Sequence, residues 1–182
     1  KDLEKKGSAN IEHYLHEGQH VIVQVFKDPL GTKGARLTTD ISIPSRFQVY
    51  MPYSLNTGIS QRIESLEERT RLKNCLEQFK QANNCGSFIA RTAAECVEES
   101  VLIADMEFLL KLWESIHIKI ATAAPKQFIH KDLPLSVRTL RDLYREGIER
   151  VRVDSKETYQ RLIEFAEIFV PEIIPVIEHY TG

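Results

Sequence analysis

The stretch FIARTAAE, residues 88–95, joins an apolar β-like run to a long helical pattern, and the rest of the chain is arranged around that joint. SFIAR (87–91) has the apolar, β-branched character of a short strand. Thr92-Ala-Ala-Glu95 has the spacing of a capping box, in which the threonine hydroxyl accepts from the amide three residues on and the glutamate reaches back. The pattern predicts a helix from Thr92 to about 121, with Val97, Val101, Leu102, Phe108, Leu109, Leu112, Trp113, Ile116 and Ile120 as its apolar stripe. A helix N-terminus leaves backbone N–H groups unpaired and carries about half a positive charge, so such a joint is predisposed to hold an anion. Arg91 adds a planar fork of donors that matches a phosphate, and Thr92 adds a hydroxyl. A purely structural reading is also open: Thr92 capping its helix and Arg91 paired with a surface carboxylate.

Upstream of the joint the chain is β-rich. HVIVQVFKD (20–28) alternates with period two and ends at Asp28-Pro29, while ARLTTDISI (35–43) and RFQVYM (46–51) read as two more strands. Pro44 between them argues against one continuous central strand. Ser65-Leu-Glu-Glu68 is another capping box, and Leu66, Leu72, Leu76 and Phe79 follow at helical spacing, so a helix is expected over about 65–82, closed by NNCG. Downstream, QFIHK, a helix over about 134–146, IERVRVD (148–154) and a helix opened by the capping box Asp154-Ser-Lys-Glu157 alternate as β-α-β-α, which suggests a parallel or mixed sheet. The expected class is α+β, or mixed α/β, with a boundary near 125–133.

A net charge of -2 removes the globally basic nucleic-acid binders, so any cationic site must be local. In DPLGTKGARLTT (28–39), Gly31 and Gly34 allow close approach of a ligand to the backbone and Lys33 and Arg36 supply charge, although a solvated hairpin connection has the same composition. Gly58-Ile-Ser-Gln-Arg62 is a further polar, basic segment before a helix. Arg138, Arg141 and Arg145 recur at i, i+3 and i+7 beside Val137, Leu140 and Tyr144; they read as a solvated face with partners such as Asp142 and Glu146 rather than a track for RNA. His13, His16 and His20 resemble metal-ligand spacing, but Gly18 ends the helical pattern before His20. Asp154 is accounted for as a helix cap. Three cysteines without C-x-x-C spacing fit a reducing, cytoplasmic setting, and no apolar run is long enough for a membrane helix. The start at Lys1, without methionine and soon followed by a strand, raises the expectation of a piece cut from a longer polypeptide.

DPLGTKGARLTTDISIPSRF, GISQRIES, FIARTAAE, RVRVDS and IEHYTG occur here in the order in which bacterial ribonuclease E/G family proteins carry them, and the chain resembles that family from about residue 11 to its end. The resemblance implies three parts: residues 1–39 as the C-terminal part of an S1 (OB-type) RNA-binding domain, 40–130 as a 5′-sensor domain, and 131–182 as part of a ribonuclease H-like domain. The family's sensor holds the 5′-monophosphate of RNA with an R-T pair, which here is Arg91 and Thr92. A backbone amide before M-P corresponds to Val49, and a small residue slightly earlier to Ser45, where many relatives have glycine. The paired arginines of G-I-S-R-R-I-E stand here as Gln61 and Arg62, so only Arg62 carries over. Lys33 and Arg36 fall on the S1 surface.

By resemblance, then, the chain is the RNA-binding, 5′-monophosphate-sensing part of an endoribonuclease that cleaves single-stranded RNA in rRNA processing and mRNA decay. The family's chemistry resembles Mg2+-dependent hydrolysis by two aspartates in a later domain, followed by a Cys-rich link that joins subunits through Zn2+. Neither motif occurs in this sequence, so no catalytic or metal residue is assigned and no cofactor is expected in this chain. The parent is expected to be a cytoplasmic homo-oligomer, dimer or tetramer, without membrane attachment. The rival readings are a non-catalytic RNA-binding or assembly module that does not read the 5′ end, and a self-sufficient hydrolase using Asp154 or His130.

Overall fold

The computed structural model describes residues 10–143 and 148–182. The chain divides after Ile41 into two compact units. In the first, β1 (Gln24–Lys27) and β2 (Arg36–Thr38) pair antiparallel with a bulge between Val25 and Lys27. Their connection folds back on itself through reciprocal backbone bonds between Leu30 and Lys33, both 3.1 Å, across a turn whose first central residue is Gly31 at φ 58°. That left-handed conformation is one that glycine adopts without steric cost. Val25, Phe26, Leu30 and Leu37 of this hairpin are exposed, as are Lys33 and Arg36.

The second unit is built on a four-stranded sheet in the order β3 (Ile43–Pro44), β4 (Gln48–Met51), β6 (Ser87–Ala90), β5 (Gly58–Ile59). Strand β4 is antiparallel to both neighbours and β5 runs parallel to β6. Pro44 sits on the edge strand, where its missing N–H breaks no ladder bond. Period-two alternation puts Gln48 and Tyr50 on one face of β4, both buried. Helix α1 (Leu66–Asn83) covers that face with Leu72, Cys75, Leu76 and Phe79; Phe79 meets Phe88 edge-on at 5.8 Å, and Phe88 packs on Tyr50 at 4.8 Å. Ser65 caps α1 by accepting from Glu68 N–H, as the capping-box spacing predicts, and Asn84, within the NNCG expected to close the helix, takes the left-handed region at φ 45°.

Helix α2 (Glu99–Thr122) buries Leu102, Met106, Leu109, Leu112 and Ile116, and Gln48 Nε2 donates to Leu102 O at 3.2 Å. From another side of α2, Phe108 packs on Phe165 and Phe169. These belong to a second core formed by α3 (Leu135–Leu143), β7 (Val151–Val153), α4 (Lys156–Phe169) and β8 (Ile177–His179), which includes Val137, Leu140, Leu162 and Ile173. Strands β7 and β8 are parallel. The observed class is mixed α+β with small sheets.

Several expectations are corrected. QFIHK, set between Pro125 and Pro134, forms no strand. β5 and β8 are strands that the sequence reading did not mark. Helix α4 is capped by Ser155, whose Oγ accepts from Thr158 N–H at 3.2 Å, rather than by Asp154. Arg141 is not on a solvated face: its side chain is 11% exposed, and it donates to Asp142 Oδ1 at 2.7 Å and to Pro44 O at 3.4 Å. Arg138 does reach solvent, 3.7 Å from Asp132, while Tyr144, Arg145 and Glu146 lie outside the described residues.

Candidate functional site

The long helix does not begin at Thr92. Thr92–Ala94 form a single 3-10 turn, Cys96 takes φ 57°, and α2 starts only at Glu99 without a side-chain cap. The reason is tertiary. Glu68 of α1 accepts from Cys96 N–H at 2.9 Å, and Arg71, paired with Glu68 at 2.6 Å, donates to Val97 O at 2.9 Å. These bonds fix 96–97 in a conformation that a helix running on from Thr92 could not adopt, and Glu68 is not free to close its own capping box. The Arg71 guanidinium holds the Glu68 carboxyl down at about 2. The joint therefore has no long-helix dipole behind it, and any positive potential there comes from side chains and individual N–H groups.

What converges at the joint is a set of loops at one end of the strands. Arg91 follows β6; its backbone N–H donates to Phe47 O at 2.8 Å and its Nη1 to Ser45 O at 2.5 Å. The side chain is exposed and makes no ion pair among the described residues. A guanidinium has five N–H donors, so one bond to a carbonyl orients the fork and leaves most of it available. Thr92 Oγ1 shares a hydrogen bond with Ser60 Oγ at 3.0 Å. Ser60 is placed by its own N–H on Ala90 O at 2.8 Å, and Ser60 Oγ accepts from Arg62 N–H at 3.3 Å. Arg69 of α1 closes this loop from behind, its Nη1 donating to Ser60 O at 2.7 Å and Ile63 O at 2.9 Å. Arg62 and Gln61 are exposed on the same loop.

The 45–47 loop is held from below. Ser45 is fully buried; its hydroxyl donates to Asp105 Oδ2 in a very short bond and lies 2.9 Å from Gln48 O. Phe47 N–H donates to the same carboxylate oxygen at 3.3 Å. Burial pushes the Asp105 carboxyl up to about 6, against the lowering effects of Ser45, Phe47 and the nearby Arg141. Arg46 stacks its guanidinium on the Phe47 ring at 4.8 Å.

The structure thus brings Ser45, Arg91, Thr92 and the Arg62 loop together at one end of the sheet. Val49 lies two residues beyond Phe47 on β4, opposite Ile89 and Pro44. Lys33 and Arg36 belong to the other unit. Of the residues named for hydrolysis, His130 is half-buried, its pKa lowered first by burial and then by Lys119, and Asp154 is exposed in the β7–α4 link. Asp105, Ser60 and Arg69 were missed. A carboxylate placed among Leu102, Met106 and Leu109 is a signal that was legible; the backbone bonds of Arg69 were not. Among the described residues no group of three or more His, Cys, Asp or Glu could hold a metal ion. No helix among them is long and apolar enough to cross a membrane.

An arginine fork and a hydroxyl meet at one end of a small sheet in an α+β unit, framed by two loops, and a sequence model of the ribonuclease E/G family matches that unit across residues 42–182. The chain belongs to the ribonuclease E/G family. It is 44% identical over 173 residues to Ribonuclease G of Escherichia coli (strain K12), covering 95% of this chain and 35% of the relative. It is also 44% identical over 173 residues to Ribonuclease G of Haemophilus influenzae, with the same coverage, and 36% identical over 163 residues to Ribonuclease E of Nostoc sp., covering 90% of this chain and 23% of the relative. The chain thus spans 35% of the length of the Ribonuclease G relatives it matches.

Proposed function

We propose that the chain is the RNA-binding, 5′-monophosphate-sensing part of a ribonuclease G-like endoribonuclease. Residues 1–39 supply the end of an S1 surface carrying Lys33 and Arg36, 40–130 the 5′ sensor, and 131–182 part of a ribonuclease H-like domain. The observation that carries the reading is the state of Arg91: exposed, oriented by the Ser45 carbonyl, and without an ion-pair partner among the described residues. A terminal phosphate is the complementary group, since it is doubly charged near neutral pH and accepts two parallel N–H bonds. Thr92 contributes its hydroxyl and Arg62 a second cation, and the carbonyl of the buried Ser45 aims the fork. Selection against a triphosphate follows from lack of counter-charge for two further phosphoryl groups.

Within that reading, the parent enzyme is a cytoplasmic homo-oligomer that cleaves single-stranded RNA in rRNA processing and mRNA decay, with Mg2+ at carboxylates and Zn2+ at a subunit link that both lie outside this sequence. The chain alone binds RNA without cutting it. The test is a titration of one oligoribonucleotide carrying either a 5′-phosphate or a 5′-hydroxyl. The sensor reading requires tighter binding of the phosphorylated form and loss of that difference in Arg91→Ala. Equal binding of both forms would leave an RNA-binding or assembly module, and Mg2+-dependent cleavage by the chain would revive the hydrolase reading.

A further inference from the structure

We propose that Asp105 is the positioning residue of this phosphate clamp: it holds the 45–47 loop so that Arg91 presents its guanidinium outward. The inference rests on the sensor reading above and adds to it a residue that never touches the ligand.

The connection is short and doubled. Arg91 is tied to the loop twice, by Nη1 to Ser45 O and by its backbone N–H to Phe47 O. The loop is tied to Asp105 twice, by the Ser45 hydroxyl and the Phe47 N–H, both donating to Oδ2. The same two residues therefore accept from Arg91 and donate to Asp105. A single carboxylate oxygen thus restrains both residues to which Arg91 is bonded. Arg141 adds a third restraint at Pro44 O, 3.4 Å away.

A carboxylate on the buried side of a helix is costly to desolvate unless donors meet it. Here the donors come from the loop that carries the clamp, and Leu102 and Met106, on either side of Asp105 in α2, are fully buried and fix its position. If the loop were free to shift, Arg91 would lose the carbonyl that orients it, and a fork misplaced by a few tenths of an ångström gives up bidentate geometry. The consequence is specific: loss of Asp105 weakens recognition of the terminal phosphate while leaving contacts to the rest of the RNA in place.

The experiment is the same titration, by fluorescence anisotropy, of an oligoribonucleotide with a 5′-phosphate or a 5′-hydroxyl, on this chain and on Asp105→Ala, Asp105→Asn, Ser45→Ala and Arg91→Ala. The unsubstituted chain is expected to prefer the phosphate about tenfold, the scale of one charge-assisted bond. In Asp105→Ala the preference falls to about twofold or less, while affinity for the hydroxyl form moves by under about twofold, because only an oriented donor has been lost. Asp105→Asn, whose amide oxygen accepts from the same two donors, restores most of the preference. Should Asp105→Ala fail to fold, Ser45→Ala decides, since it removes the hydroxyl link and keeps the carbonyl that Arg91 uses. A preference lost in Arg91→Ala but fully kept in Asp105→Ala, or in Ser45→Ala where that variant decides, overturns the role of Asp105 and leaves the sensor reading standing. Equal loss of both RNA forms in Asp105→Ala also overturns it. Absence of any preference in the unsubstituted chain overturns the sensor reading and this inference together.

Discussion

Asp105 also makes a prediction that involves no RNA. Burial raises its carboxyl to about 6 from an ordinary 3.8, so between those values the folded chain holds a proton that the unfolded chain has released. Stability therefore falls as pH rises through that window, because the unfolded state binds fewer protons. At 1.36 kcal/mol per unit, the loss from this group approaches about 3 kcal/mol by pH 7.5, with about 2 to 3 of it appearing between pH 4 and pH 7.5. Asp105→Asn keeps an acceptor for Ser45 and Phe47 and removes the titration. Urea midpoints of both proteins measured across that range isolate the group, since all other carboxyls cancel in the difference. The variant should gain about 2 to 3 kcal/mol relative to the unsubstituted chain from pH 4 to pH 7.5. Arg141 favours the charged form, so adding Arg141→Met should move the window upward. Parallel profiles, or a variant that loses ground as pH rises, would refute the reasoning.

The remaining predictions concern the frame. In Glu68→Gln the pairing with Arg71 is lost; that pairing holds the carboxyl at about 2, so its stabilisation is present above the ordinary value of 4.5 and is lost as pH falls toward 2, and amide exchange at Cys96 should quicken at neutral pH. Gly86→Ala places a Cβ 2.5 Å from Met51 O and 2.7 Å from Pro52 Cα, both backbone, and should cost about 1 to 3 kcal/mol in urea midpoint. Phe88→Ala empties the ring cluster with Tyr50 and Phe79 and should cost about 3 to 5 kcal/mol by the same assay. Arg69→Met frees Ser60 O and Ile63 O, and reduced phosphate preference with unchanged hydroxyl-RNA affinity is expected in the titration.

The way these elements were legible follows the range of the forces that make them. Helix α1 was readable because its cap, its stripe and its left-handed stop lie within its own residues, from Ser65 to Asn84. The start of α2 was misread for the opposite reason: Thr92 and Glu95 have the right spacing, but Glu68 and Arg71, more than twenty residues earlier, hold Cys96 and Val97 out of the helix. β5 and β8 are too short for a period-two pattern and exist through parallel partners distant in sequence. Arg141 carried a helix-surface spacing, yet its side chain lies against Asp142 and the carbonyl of Pro44, a partner far away in sequence.

The site divides along the same line. Arg91 and Thr92 were singled out from the joint itself, and Ser45, Val49 and the role of Arg62 through a resemblance; the helix dipole first offered for the joint is absent. In its place is a chain of bonds from Asp105 to the 45–47 loop to Arg91, and from Arg69 to Ser60 to Thr92. A short 3-10 turn contributes little field of its own, so charge at this corner depends on where a guanidinium is aimed rather than on where a helix begins. Aim is set by carbonyls, and carbonyls leave no mark in a sequence; the mark they did leave is Asp105, an acid on an otherwise apolar stripe whose donors are the loop itself.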